Sequence, residues 1–320
     1  MKQFLSVQDV PSISTMLKEV DEIKKTPFVH QALGKNKTLG LVFLNPSLRT
    51  RMSTQKAASN LGMNVMVLNV GQESWQWEMA DDAVMNGDRP EHIKDAARVM
   101  SQYCDIIGIR CFPSLKNKLE DDQEQVLSQF VQYCEVPVIS LESATRHPLQ
   151  SMADLITINE FSPVNKKPKV VLAWAPHIKA LPQAVGNSFS EWMTAAQLDF
   201  HIAQPKGFEL NEQFTPNAIL HHDLNSAIKD ADFIYIKNWS SYHEYGKLYD
   251  GDKTPWLLDS DQISSLCPNA KIMHCMPVRR NIEVKDELLD GAQSLIYKQA
   301  QNRIYSAQWV LQQMLQSHLS

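Results

Sequence analysis

The sequence predicts an α/β protein made of two doubly wound domains, each on a parallel sheet, with a cleft between them. Three observations carry this. Short apolar runs of strand length alternate with longer stretches of helical periodicity, the pattern of a parallel sheet covered by helices. The alternation occurs twice, before and after a polar, proline-containing break at Ser162 to Pro168. At 320 residues the chain is long enough to bury two cores of ordinary size.

The elements follow in order. Ile13, Leu17, Val20 and Ile23 recur at helical spacing and mark an amphipathic first helix. Strand-like runs come next at Leu39–Leu44, Val65–Leu68, Ile106–Arg110 and Val136–Leu141. Helical stretches separate them at Met52–Leu61 (closed by Gly62), Glu91–Tyr103 and Glu124–Cys134. Gln72 to Arg89, with Trp75 and Trp77, reads as a long irregular insertion, and its length points to a functional loop. A helix at Leu149–Ile158 leads into the second series. Its strands are expected at Lys169–Trp174, Phe200–Ala203, Ala218–His221, Phe233–Lys237, Ala270–Met273 and Ser294–Tyr297, with helices at Pro182–Ala196 and Asn302–Leu315. The expected domains are residues 1–148 and 149–301, with the terminal segment from about 302 to 320 packing back on the first.

Composition narrows the function classes. Hydrophobic residues at 43% and charged ones at 21% are those of a globular protein. Lys+Arg 31 against Asp+Glu 36 leaves −5, which argues against a nucleic-acid surface. The start, Met1 to Ser6, lacks an apolar core, and no apolar run reaches a membrane span, so a cytoplasmic protein is expected. The cysteines Cys104, Cys111, Cys134, Cys267 and Cys275 form no C-x-x-C pair and read as reduced thiols. No metal motif occurs, and His221-His222 suit a solvated turn. No two of the 11 glycines are separated by a single residue, which removes the dinucleotide fingerprint and the Walker loop. No cofactor is expected.

Any phosphate must therefore be held by arginine and hydroxyl groups. Ser47-Leu48-Arg49-Thr50-Arg51 stands where a strand turns into a helix, and free N–H groups and the positive dipole end suit a dianion there. Ser47 and Thr50 add hydroxyl donors, and Arg49 adds a forked one. Further polar clusters sit at other strand ends. Arg110 closes one strand, Glu142 and Arg146 precede His147-Pro148-Leu149-Gln150, and His274-Cys275-Met276-Pro277-Val278-Arg279-Arg280 follows another strand. Ligands of doubly wound sheets bind at such carboxyl ends.

With these segments in view the chain resembles the aspartate/ornithine carbamoyltransferase family. Residues 47–51 match its S-x-R-T-R motif, His147 to Gln150 its H-P-x-Q, and His274 to Pro277 its H-C-x-P. The resemblance implies carbamoyl phosphate in the first domain, an amino-acid substrate between the domains, and a homotrimer with shared sites. It implies that Ser47, Leu48, Arg49 and Thr50 hold the phosphate, with His274 and Arg303 as further donor contacts. Arg110 and His147, with Thr50, would donate to the carbonyl oxygen as charge grows there. Gln150 would accept from the carbamoyl NH2, Cys275 would serve through its carbonyl and thiol, and Trp75 would lie over a neighbouring subunit's site.

The acceptor is read from a departure. The ornithine enzymes carry an aspartate and a Ser-Met-Gly segment for a free α-ammonium, but this region reads Tyr235 to Tyr242 with Lys237 in it. A cation there repels an ammonium, so the α-nitrogen is expected to be an uncharged amide. Trp174 to Lys179 replaces the usual G-D-x-x-N turn and offers His177. The pattern looks like the N-acylornithine branch. Lys237 and His177, with Arg279, would meet the α-carboxylate or acyl group, and Glu142 the substrate's polar end. The acetyl branch carries a glutamate where Pro90 stands. A proline leaves room for a succinyl tail, so N-succinyl-L-ornithine is the expected acceptor, with N-acetyl-L-ornithine or ornithine as alternatives. A non-catalytic anion-binding relative is a third reading.

Overall fold

The computed structural model describes residues 1–163 and 166–317. Residues 164 and 165, inside the expected break, and 318–320, at the end of the expected terminal segment, lie outside the described residues. The chain forms two compact units, one of Met1–Ser114, Lys118–Leu149 and the chain from Arg303 on, the other of Leu115–Asn117 and Gln150–Asn302.

The first unit contains β1 (Gln3–Phe4), α1 (Ile13–Lys25), β2 (Thr38–Phe43), α2 (Arg49–Asn60) and β3 (Asn64–Asn69). After these come β4 (Trp77–Glu78), β5 (Glu91–His92), α3 (Ile93–Tyr103), β6 (Ile106–Arg110), α4 (Lys118–Asp122), α5 (Gln125–Tyr133) and β7 (Val138–Glu142). Its main sheet is all parallel in the order β1-β7-β6-β2-β3. Strands such as Ile106–Arg110 are buried along their whole length, as a sheet covered on both faces requires. Gly62 ends α2 at φ +79, and a Cβ there would meet the Gln31 carbonyl at 2.3 Å. Only glycine fits that C-cap.

The helix α6 (Pro148–Phe161) leads to β8 (Lys169–Trp174), α7 (Ala184–Ala195), β9 (Asp199–Ala203), β10 (Ile219–His221), α8 (Leu224–Ile228) and β11 (Phe233–Lys237). Then come α9 (Ser260–Leu266), β12 (Lys271–Met273), α10 (Asp286–Leu289) and α11 (Ile296–Ser317). The second sheet is again all parallel, in the order β10-β9-β8-β11-β12.

Both sheets reverse direction once. In the first, β2 and β3 step one way and β6 lies on the other side of β2. In the second, β8 to β10 step one way and β11 lies on the other side of β8. Phe43 pairs with Arg110 at the first reversal and Trp174 with Lys237 at the second. Such switch points leave an open crevice at the strand ends.

Three local expectations need correcting. Ser294–Tyr297 is not a strand: Ser294 keeps a single bridge to Ile272, and Ile296 already belongs to α11. The buried positions Leu295, Gln299, Asn302 and Ser306 run at helical spacing straight back through it. Gln72 to Arg89 is not wholly irregular, since β4 lies within it, pairs with β5 and stacks Trp77 on Phe130. His221 ends β10 and its ring meets His201 at 2.8 Å, so it is not in a solvated turn. Sequence reading also missed α9, although Asp259 and Gln262 form a capping box at its start. Among the described residues no helix is long and apolar enough to cross a membrane.

Candidate active site

In the first unit the Ser47–Arg51 segment carries the end of the β2–α2 loop and the first turn of α2. The Ser47 Oγ accepts the Thr50 N–H at 3.3 Å, so the hydroxyl caps the helix start. Arg49 and Ser47 are half-buried, while Leu48 is 63% exposed.

Thr50 is where this unit converges. Its Oγ1 accepts from Arg110 Nη1 at 3.3 Å and from Arg303 Nη2 at 2.9 Å. Arg110 also binds the Glu142 carboxylate and lies over the Phe112 ring at 4.5 Å. A register shift between Ile109 and Arg110 sets Arg110 beside Glu142 across the β6–β7 pair, a use of a bulge to re-aim a side chain. His147 Nε2 lies 3.3 Å from Glu142 Oε2 and 3.3 Å from Arg303 Nη1. Burial first, then the Arg303 and Arg110 charges, push the His147 pKa well below the usual histidine value. Among the described residues the His147 Nδ1 has no hydrogen-bond partner. Glu124, absent from the expected set, holds the approach to His147: its carboxylate accepts from Ser143 Oγ at 2.6 Å, Ala144 N at 3.1 Å and Thr145 N at 2.7 Å. Glu142, expected at the acceptor's polar end, binds Arg110 and lies 3.3 Å from His147 Nε2. Trp75 is 55% exposed and donates through Nε1 to Glu91 at 2.6 Å, and Pro90 beside it is exposed.

In the second unit the anchor is Glu283, which sequence reading also missed. Its carboxylate lies 4.0 Å from Lys237 Nζ and 3.5 Å from His274 Nε2, and it accepts the Arg279 N–H at 2.8 Å. Burial pushes its pKa up, but His274, Lys237 and that N–H outweigh burial and bring it down to about 2. Arg279 Nε donates to His177 Nε2 at 3.1 Å, and the opposite ring nitrogen meets the Lys179 carbonyl at 2.8 Å.

Cys275 follows β12 and is buried. Its carbonyl accepts from the His274 ring, and the peptide Met276–Pro277 is cis. The Tyr235 hydroxyl lies against Asp154 and Cys275, and burial first, then those two groups, hold its pKa well above the usual tyrosine value. Gln150 Nε2 donates to Asp154 at 2.7 Å. The first unit thus gathers Thr50, Arg110, Glu142, His147 and Arg303, and the second joins Lys237 to His274 and His177 to Arg279. Ser47, in the loop just before α2, accepts from the Thr50 N–H, while Leu48, Trp75 and Pro90 lie outside the first cluster's contacts.

Comparisons with known proteins accord with this geometry. A sequence model described as "Aspartate/ornithine carbamoyltransferase, carbamoyl-P binding domain" matches residues 2–160, and one described as "Aspartate/ornithine carbamoyltransferase, Asp/Orn binding domain" matches residues 182–314. The chain is 49% identical over 318 residues to an N-succinylornithine carbamoyltransferase of Bacteroides thetaiotaomicron, with 99% of each chain covered. It is 32% identical to an N-acetylornithine carbamoyltransferase of Xanthomonas campestris pv. campestris, with 95% of each covered. Among solved structures, acetylornithine transcarbamylase complexed with acetylcitrulline matches at TM-score 0.89 and 30% identity, covering 98% of this chain and 99% of that one. A glutamate-to-proline variant of N-acetyl-L-ornithine transcarbamylase, complexed with carbamyl phosphate and N-succinyl-L-norvaline, matches at TM-score 0.88 and 30% identity, covering 98% and 100%.

Proposed function

Because the chain belongs to the aspartate/ornithine carbamoyltransferase family and is a carbamoyltransferase, we propose that its acceptor is the δ-amine of N-succinyl-L-ornithine. The products are N-succinyl-L-citrulline and phosphate, and the step serves arginine biosynthesis in the cytoplasm. The observation that carries the acyl group is the higher identity to a relative named N-succinylornithine carbamoyltransferase, 49%, than to one named N-acetylornithine carbamoyltransferase, 32%. Pro90 supports it, since a glutamate there would repel a succinyl carboxylate.

Ser47, Arg49, Thr50, Arg303 and the start of α2 hold the phosphate and stabilise it as it leaves. Arg110, Thr50 and His147 donate to the carbonyl oxygen, where negative charge grows as the amine attacks. A positioned donor of this kind contributes about 2–4 kcal/mol to lowering the barrier. Gln150 accepts from the carbamoyl NH2, and Cys275 lies with its carbonyl and thiol toward the attacking amine, which needs no acyl-enzyme. Lys237, Arg279 and His177 bind the acceptor's α-carboxylate or acyl group. Direct attack requires a neutral amine of reference pKa about 10, so the rate climbs between about pH 6 and 9. The working form is a homotrimer in which Trp75 reaches a neighbouring subunit's site. Sedimentation of pure protein should give three times the 36.4 kDa chain mass.

The test is a panel of N-succinylornithine, N-acetylornithine, ornithine and putrescine with carbamoyl phosphate, read by phosphate release. The succinyl compound should turn over fastest. A clear preference for any other amine overturns the acceptor assignment, and a rate flat across that pH range overturns the amine-attack step.

A further inference from the structure

We infer that Asp154 is a positioning residue: it decides which end of the Gln150 amide faces the substrate and, through Gln299, anchors the loop that carries His274 and Cys275. The inference rests on the donor reading above, in which Gln150 accepts from the carbamoyl NH2. Asp154 lies on α6 one turn after Gln150 and is completely buried. Its Oδ1 accepts from Gln150 Nε2 at 2.7 Å and from Gln299 Nε2 at 2.7 Å. Gln299, on α11, in turn accepts the His274 backbone N–H through its Oε1 at 3.0 Å.

The chemistry of the groups sets the direction of every bond in this chain. A carboxylate only accepts, so each glutamine must turn its NH2 toward Asp154 and its carbonyl oxygen away. A glutamine amide is almost the same shape in its two flipped orientations, and nothing steric chooses between them. The choice matters for Gln150, because only its Oε1 can accept from a carbamoyl NH2. The flipped amide sets NH2 against NH2. For Gln299 the same constraint supplies the acceptor that His274 N–H needs at the end of β12. Burial strengthens the effect, since an amide left facing a missing partner in a dry interior is costly.

The test starts with calorimetry of carbamoyl phosphate binding to the unaltered chain. Absence of uptake overturns the donor reading itself. With uptake present, kcat is measured for Asp154→Ala, Gln150→Ala, the double variant and Asp154→Asn, each checked for folding by thermal unfolding. Asp154→Ala should lower kcat by about 100-fold, but by less than about tenfold when Gln150 is already alanine, because residues acting as one unit are not additive. Asp154→Asn keeps a carbonyl oxygen for both amides and should hold kcat within about fivefold of the unaltered chain. Additive losses in the folded variants overturn the positioning role while leaving the donor reading intact. If Asp154→Ala does not fold, Asp154→Asn decides alone. Near-normal kcat supports the role, and a loss beyond about 100-fold in folded protein overturns it.

Discussion

The two units solve the same topological problem with different chemistry. Each is a five-stranded parallel sheet with one reversal, and each ends the strand at that reversal on a cation, Arg110 in the first and Lys237 in the second. Each cation is buried and steadied by a buried glutamate, Glu142 or Glu283. The surroundings differ. Arg110 is joined by Arg303 and a capped helix start around Thr50, a surplus of positive groups suited to a phosphate dianion. Lys237 stands 4.0 Å from a carboxylate that also faces His274 and accepts from the Arg279 backbone. There the cation is matched by a carboxylate of opposite charge. A doubly wound sheet thus fixes where a ligand goes, and the residues at the reversal fix which charge it carries.

The comparison can be broken at four points. Arg110→Met should have the largest effect, lowering kcat/KM for carbamoyl phosphate by about a thousandfold through loss of a preorganised donor. It should also lower unfolding free energy by about 3–5 kcal/mol, because Glu142 is left buried without that partner. Denaturant titration beside steady-state kinetics would expose a merely peripheral arginine. The counterpart, Lys237→Met, should raise the acceptor's KM by about a hundredfold with little change in carbamoyl phosphate KM, as expected for a buried charge that binds one substrate only. Equal damage to both constants would remove the division of labour. Pro90→Glu should shift the ratio of kcat/KM values toward N-acetylornithine by about tenfold through repulsion of the succinyl tail. An unchanged ratio would show that Pro90 is not the selector.

The smallest effect is on stability against pH. The folded-state pKa of His147 lies below its unfolded value, so between the two the unfolded chain binds more protons. Stability is therefore full above the unfolded value of about 6.5 and declines as pH falls below it, by at most about 1.4 kcal/mol per pH unit for this group. His147→Gln should flatten part of that decline in urea midpoints taken from pH 7 to 5. His201, His221 and His274, also held down by burial, keep the remainder. A slope unaltered by the substitution would mean that His147 has the same pKa in the folded and unfolded chain.

Local chemistry that depends on sequence neighbours was legible without coordinates. The runs Ile106–Arg110, Lys169–Trp174 and Phe233–Lys237 are strands to the residue, because a strand buried on both faces needs an unbroken apolar stretch. Ser294–Tyr297 looked equally apolar, yet its burial follows the helical period of the residues after it. Short apolar runs are ambiguous until their neighbours are packed. Thr50, Arg110 and His147 could be named from their types, since a phosphate beside a carbonyl calls for such donors, whereas Arg303 was expected only from the family resemblance.

Their partners could not. Glu283, Glu124, Asp154 and Gln299 are ordinary polar residues in the chain, and each gains a partner that only the fold brings near: Lys237 for Glu283, Ser143 for Glu124, and Asp154 and Gln299 for each other. Asp154 and Gln299 are 145 positions apart and meet at 2.7 Å. The amino-acid order determined the two parallel sheets, the cationic donors and the class of ligand, because these rest on composition and short-range periodicity. Tertiary structure alone decided which carboxylate holds which cation and where the Gln299 amide points. Those depend on burial and hydrogen-bond geometry between distant segments, which no local pattern encodes.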